Sequence, residues 1–291
     1  MTLAQTPLAQ TLLAQTLLPQ TLQPQTISDA PFNGSRGVFA VILLEIALGS
    51  LAVLWVTPVW GVVKRGFFLL VGFTVAVCAL LGQVAATGPL DRVDSPGRAT
   101  AALSAFSVLS VLFAGALLAK QLPVARVLGV LGVPAGIWAV VEIAILRGDG
   151  SPGRTAGGIV AILTGAAFLG ATWDGMVLGH WYLVDRKLAV RPMKALALAF
   201  SISVGLAMVS AALGRGGEVT ANEASLNPLL LVSSLTLYLA IGLVAVNALL
   251  AFFVHKLVNE GSIRAATGML YLAVIMAFSA EFAAKARFFT V

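Results

Sequence analysis

Charge is what this chain has least of: Asp, Glu, Lys and Arg together make up 10% of its 291 residues, against about a quarter in an ordinary soluble protein. With 59% of the residues apolar and a mean hydropathy of +0.98, a water-soluble globule is excluded and a membrane protein is indicated. Cysteine is nearly missing. Cys78 stands alone inside an apolar run, so no intrachain disulfide, CxxC redox pair or thiolate metal cage can be built. His180 and His255 are the whole imidazole supply, too few for a structural zinc site. The signatures HExxH, GxxxxGK[ST] and GxSxG do not occur, which leaves zinc peptidase, P-loop and serine hydrolase chemistry without a sequence basis. The formal charge of +6 reads as membrane topology and contact with anionic lipid rather than as nucleic-acid binding.

Lys and Arg are also missing from everything before Arg36, so the basic start of a secretory signal is not seen. What stands there instead is an imperfect pentad series, LAQTP, LAQTL, LAQTL, LPQTL and QPQTI, running from Leu3 to Ile27. A five-residue repeat matches neither helix nor strand period, so its leucines gather on no common face. Prolines at 7, 19, 24 and 31 interrupt both conformations. Residues 1–36 therefore read as a disordered low-complexity tail, dispensable for insertion, ahead of a transmembrane domain at 37–291.

Beyond the tail, the uncharged stretches predict an all-α polytopic protein of eight transmembrane helices near 38–62, 66–87, 99–119, 127–146, 156–184, 193–213, 227–254 and 265–284. The ten-residue alternation of an outer-membrane barrel is not present. Ser95-Pro96 and Ser151-Pro152 each look like a serine N-cap with proline at the first helical position. Connections on one side carry Lys64, Arg65, Lys120, Arg126, Arg186, Lys187, Arg191, Lys194, Lys256 and Arg264 against only Asp185 and Glu260; the other side has eight basic residues against six acids. The positive-inside rule then puts the basic loops in the cytoplasm and both termini outside a cell membrane, with anionic lipid against the basic face. Trp60, Trp181 and Tyr182 fall at that interface. The segments Arg126–Glu142 and Arg264–Glu281 can be laid side by side, each opening on Arg, carrying an early glycine and reaching Glu. Such a match fits two parallel four-helix halves.

Four acids lie within the spans: Glu45, Glu142, Asp174 and Glu281. Glu142 and Glu281 fall near the outer ends and read as interfacial acids with local cations, Glu281 being placed at i,i+4 to Lys285. Glu45 lies deeper and is a secondary candidate for function. Asp174, eleven residues before Asp185 and so roughly 16 Å from the cytoplasmic end, costs about 3 kcal/mol if ionised there and should be paired, protonated or wetted. No Lys or Arg in a span looks deep enough to pair with it. Around it stand Trp173, His180, Trp181 and Tyr182, with Gly175 and Gly179 forming a GxxxG pair that admits a neighbouring helix; Asn247 in the seventh span lies at comparable depth. Asp174 and His180 are 120° apart around the helix and about 9 Å apart along it, so they are not a direct acid–base pair.

These residues, Asp174, His180, Trp181, Tyr182 and Asn247, form the candidate proton or ligand site. Three functions fit them: a quinone- or proton-handling membrane subunit of a redox complex, a proton-coupled small-molecule transporter, or a structural or assembly subunit without chemistry of its own. The first implies protein partners in a membrane complex. His180 and His255 are also the only residues that could ligate a bis-His haem, although His255 adjoins Lys256 at the end of its span. No cofactor, substrate or oligomeric state is assigned by the residues.

Overall fold

The computed structural model describes Phe32 and residues 34–148, 150–185, 188–213 and 233–289. They form eight helices: α1 (Ser35–Val56), α2 (Arg65–Leu90), α3 (Gly97–Leu118), α4 (Leu122–Gly148), α5 (Pro152–Val184), α6 (Arg191–Leu213), α7 (Ser233–Asn259) and α8 (Ile263–Phe289). All eight are long and apolar enough to cross a membrane, and no strand occurs among the described residues. The protein is an integral, multi-pass membrane protein. Most of the tail expected at 1–36 lies outside the described residues; the helix already begins at Ser35, and Phe32 is fully buried in the core.

Helix ends differ from the expected ones for local reasons. α1 stops at Val56 rather than near residue 62, because Thr57 precedes Pro58 and takes an extended backbone, the conformation a following proline favours. Ser151 and Pro152 stand at N-cap and first helical position as expected, whereas at α3 Pro96 itself occupies the N-cap. Neither serine closes a side-chain cap. α8 runs on to Phe289, which carries Glu281 and Lys285 well inside a helix.

Consecutive helices close two rings. α1 packs on α2, α2 on α3, α3 on α4 and α4 back on α1; α5 to α8 repeat the same circuit. The halves join along α1 and α5, while α4 touches α5 and α8 touches α1. Each helix of the first half thus has a counterpart four places on, the parallel arrangement that the Arg126–Glu142 and Arg264–Glu281 match suggested. α1 is buried along most of its length, since it faces its own half and α5 together.

The α1–α5 seam depends on glycine. A Cβ on Gly49 would stand 1.8 Å from the Ala166 carbonyl oxygen, and one on Gly170 would stand 2.1 Å from the Gly49 carbonyl carbon. Backbones in such contact tolerate no larger residue, the small-xxx-small geometry of membrane helices, here Ala166 and Gly170 on α5. The GxxxG pair meets α8: Gly179 faces Thr267 and Gly175 faces Leu270. Gly129, Gly132 and Gly136 of α4 likewise face Trp55, Leu51 and Leu48 of α1, so this glycine series packs helices.

Candidate functional site

The parallel crossing at Gly49 and Gly170 sets the register of the two helices. Glu45 lies one turn before Gly49, on the same face of α1, and so points at α5 near Ala161 and Gly165. α8 brings Glu281 and Lys285, themselves one turn apart, to the same place. Lys285 Nζ lies 2.7 Å from Glu45 Oε1 and 3.0 Å from Glu281 Oε2, and donates a hydrogen bond of 2.9 Å to the Ala161 carbonyl. All three side chains are buried: Glu45 is 0% exposed, Lys285 2% and Glu281 5%. A Cβ on Gly165 would stand 2.5 Å from Glu45 Oε1 and 2.8 Å from Glu281 Oε2, so the glycine makes the room in which the carboxylates meet. Lys285 approaches Glu45 off the hydrogen-bonding angle, and Glu45 Oε2 has no partner.

This cluster corrects one sequence expectation. Glu281 does find Lys285 at i,i+4, but in the interior, because eight residues of α8 follow it. Lys285, near the end of its span, is a buried cation, but it serves Glu45 and Glu281 and not Asp174. The signal was legible in part, since two i,i+4 pairs, Glu45–Gly49 and Glu281–Lys285, stand in apolar surroundings. Glu142 follows the interfacial reading more closely: Trp138 Nε1 donates to its Oε1 at 3.0 Å and Arg98 Nη2 lies 2.9 Å from the same oxygen.

Asp174 is 0% exposed. It lies nine residues beyond Gly165 on α5, about 13 Å along the axis, and one turn beyond Gly170. The Ser50 hydroxyl of α1 is the polar group facing its carboxyl, but neither Asp174 oxygen nor Ser50 Oγ completes a hydrogen bond. Buried polar groups are nearly always satisfied, so an orphaned carboxyl is a feature to be accounted for by function or by water.

The remaining candidates are spread over other parts of the bundle. His180 is exposed, and its Nδ1 lies 3.0 Å from the Tyr271 hydroxyl of α8, a residue 43% exposed. Trp181 covers Gly66 at the start of α2, its Nε1 without a partner. Tyr182 donates its hydroxyl to the Ala189 carbonyl and so braces the connection after α5. Asn247 is buried on α7, where Nδ2 donates to the Leu243 carbonyl at 3.0 Å and Oδ1 is unpartnered. His255 lies beside Arg191 and Lys194, whereas His180 meets Tyr271. No group of three or more His, Cys, Asp or Glu side chains placed to hold a metal ion occurs among the described residues.

The seam therefore carries two buried acidic features, the Glu45–Lys285–Glu281 cluster and Asp174 with Ser50. Chemically it can hold and release protons, and it can also fasten three helices. No family model, curated protein or solved structure matches the chain.

Proposed function

We propose that this membrane protein handles protons, with the Glu45–Lys285–Glu281 cluster holding one exchangeable proton and Asp174 serving as a second buried acid on the same seam. Charge balance is the observation that carries the reading. One ammonium faces two carboxylates, and a net charge inside a bilayer is costly. A single proton on the carboxylate pair makes the cluster neutral, and coupled carboxylates take up and release such a proton as a unit. Glu45 Oε2, buried and without a partner, is the oxygen with room for it. Exchange with Asp174 over about 13 Å would run through water.

A quinone is the redox species that fits such a protein best. The His180–Tyr271 pair, an imidazole and a phenol on the outer surface of α5 and α8, offers the lipid phase a hydrogen-bond donor for a quinone carbonyl. Proton-coupled transport would use the same acids with a different cargo.

The test is infrared difference spectroscopy of the protein in lipid across a pH step. The carbonyl stretch of a protonated carboxyl is expected in the parent and lost or shifted in Glu45→Gln, with the protein still folded by circular dichroism. An unchanged carboxyl signal in both Glu45→Gln and Glu281→Gln would remove the cluster from proton handling and leave it as a helix fastener.

A further inference from the structure

The two four-helix halves end differently on the side that carries the basic connections. In the first half, the basic start of α2 is answered by the end of α5: Lys64 Nζ lies 2.6 Å from Asp185 Oδ2. Trp181 covers Gly66 there, and Arg65 caps α3 through the carbonyls of Leu117 (2.9 Å) and Leu118 (2.7 Å). Cation, acid, ring and helix end fill that corner with protein.

The counterpart corner lies where the end of α1 comes near the start of α6 and the end of α7. Here α6 supplies Arg191 and Lys194, and α7 supplies His255; the end of α1 supplies Trp55 and Val56, followed by Thr57 and Pro58, and among the described residues no carboxylate lines the recess as Asp185 stands opposite Lys64. The result is an open recess of about 660 Å³, walled on its apolar side by Trp55, Val56 and Leu198. Among the described residues, neither Arg191 nor Lys194 has an ion pair, and both are exposed.

From this asymmetry we infer that the α1–α6–α7 corner is a binding site for an anionic phospholipid, whose phosphate takes the place that Asp185 fills in the other half. Arg191 and Lys194 hold the phosphate, Arg with its planar fork and Lys as a point charge. His255 adds a hydrogen bond. The acyl chains leave along Leu198, which is 51% exposed on the lipid-facing side of α6, with the Trp55 ring at headgroup level as interfacial tryptophans are placed. The occupant is a lipid rather than a soluble phosphate because the recess joins a charged end to an apolar wall within one helical turn of α6.

Native mass spectrometry of the delipidated full chain tests this, with phosphatidylglycerol, phosphatidylcholine and inorganic phosphate added separately. One phosphatidylglycerol is expected to remain bound where phosphatidylcholine and phosphate do not. Arg191→Gln/Lys194→Gln should weaken it about 30-fold, at roughly one headgroup-proximal charge each. Lys120→Gln/Arg264→Gln, on the same side but away from the recess, should bind as the parent does. Circular dichroism checks that both double variants remain helical. Equal retention of phosphatidylcholine, undiminished binding by Arg191→Gln/Lys194→Gln, or phosphate binding alone with the same affinity would each overturn the proposal.

Discussion

Removing Lys285 and removing Glu45 should have very unequal consequences for stability, although the two side chains lie 2.7 Å apart. Lys285→Met deletes the only cation of the cluster and leaves Glu45 and Glu281 facing each other beside Gly165 with no counter-charge. Breaking a buried ion pair from one side costs about 3–5 kcal/mol. Glu45→Gln keeps shape and hydrogen-bonding capacity and leaves Lys285 with Glu281 at 3.0 Å and the Ala161 carbonyl at 2.9 Å, a balanced pair. Its cost should stay within about 1 kcal/mol, the scale of one ordinary hydrogen bond. The double variant Lys285→Met/Glu45→Gln should recover part of the loss, because one carboxyl fewer is then left uncompensated. Equilibrium unfolding in mixed detergent–lipid micelles, followed by circular dichroism, measures all three. The differences should change little between low and high salt, since buried charges are screened weakly. A Lys285→Met protein as stable as the parent, or Glu45→Gln costing as much as Lys285→Met, would refute the charge argument.

Asp174→Asn retains the shape of a carboxyl that has no hydrogen-bond partner, so normal expression and an unchanged melting temperature are expected, together with a smaller protonated-carboxyl infrared signal. Gly170→Leu puts a side chain into the backbone of α1 and Gly179→Leu puts one into Thr267. Each should lose more than the 1–3 kcal/mol typical of overpacking, Gly170→Leu the more, and yield of folded protein in membranes reads this directly. Phe32→Ala should destabilise by about 3–5 kcal/mol, as for a buried phenylalanine, whereas deletion of residues 2–28 should leave the melting temperature unchanged. In a Cys78→Ser background, an impermeant thiol reagent added outside cells should modify Arg92→Cys and Gly150→Cys but spare Gln121→Cys and Leu188→Cys; the reverse pattern inverts the topology.

Length and apolar runs alone determined that the chain is a helical, multi-pass membrane protein, because about 20 uncharged residues admit few alternatives to a spanning helix. The number of spans was legible for the same reason. Helix ends were less so: α1 ends early at Thr57-Pro58, while α8 continues past Lys285 although the apolar run before it has ended. That single extension turned an apparent interfacial pair into an interior cluster. Asp174 was recognisable as a buried acid from its depth on one helix. So was its separation from His180, by helical geometry; the meeting of Glu45 on α1 with Glu281 and Lys285 on α8, 236 and 240 positions further along the chain, was not. Helical periodicity tells which residues share a face, but not which faces meet. The contact was decided in three dimensions by glycines at 49, 165 and 170, which let α1 and α5 approach until only backbone separates them and leave space beside Gly165 for two carboxylates and an ammonium.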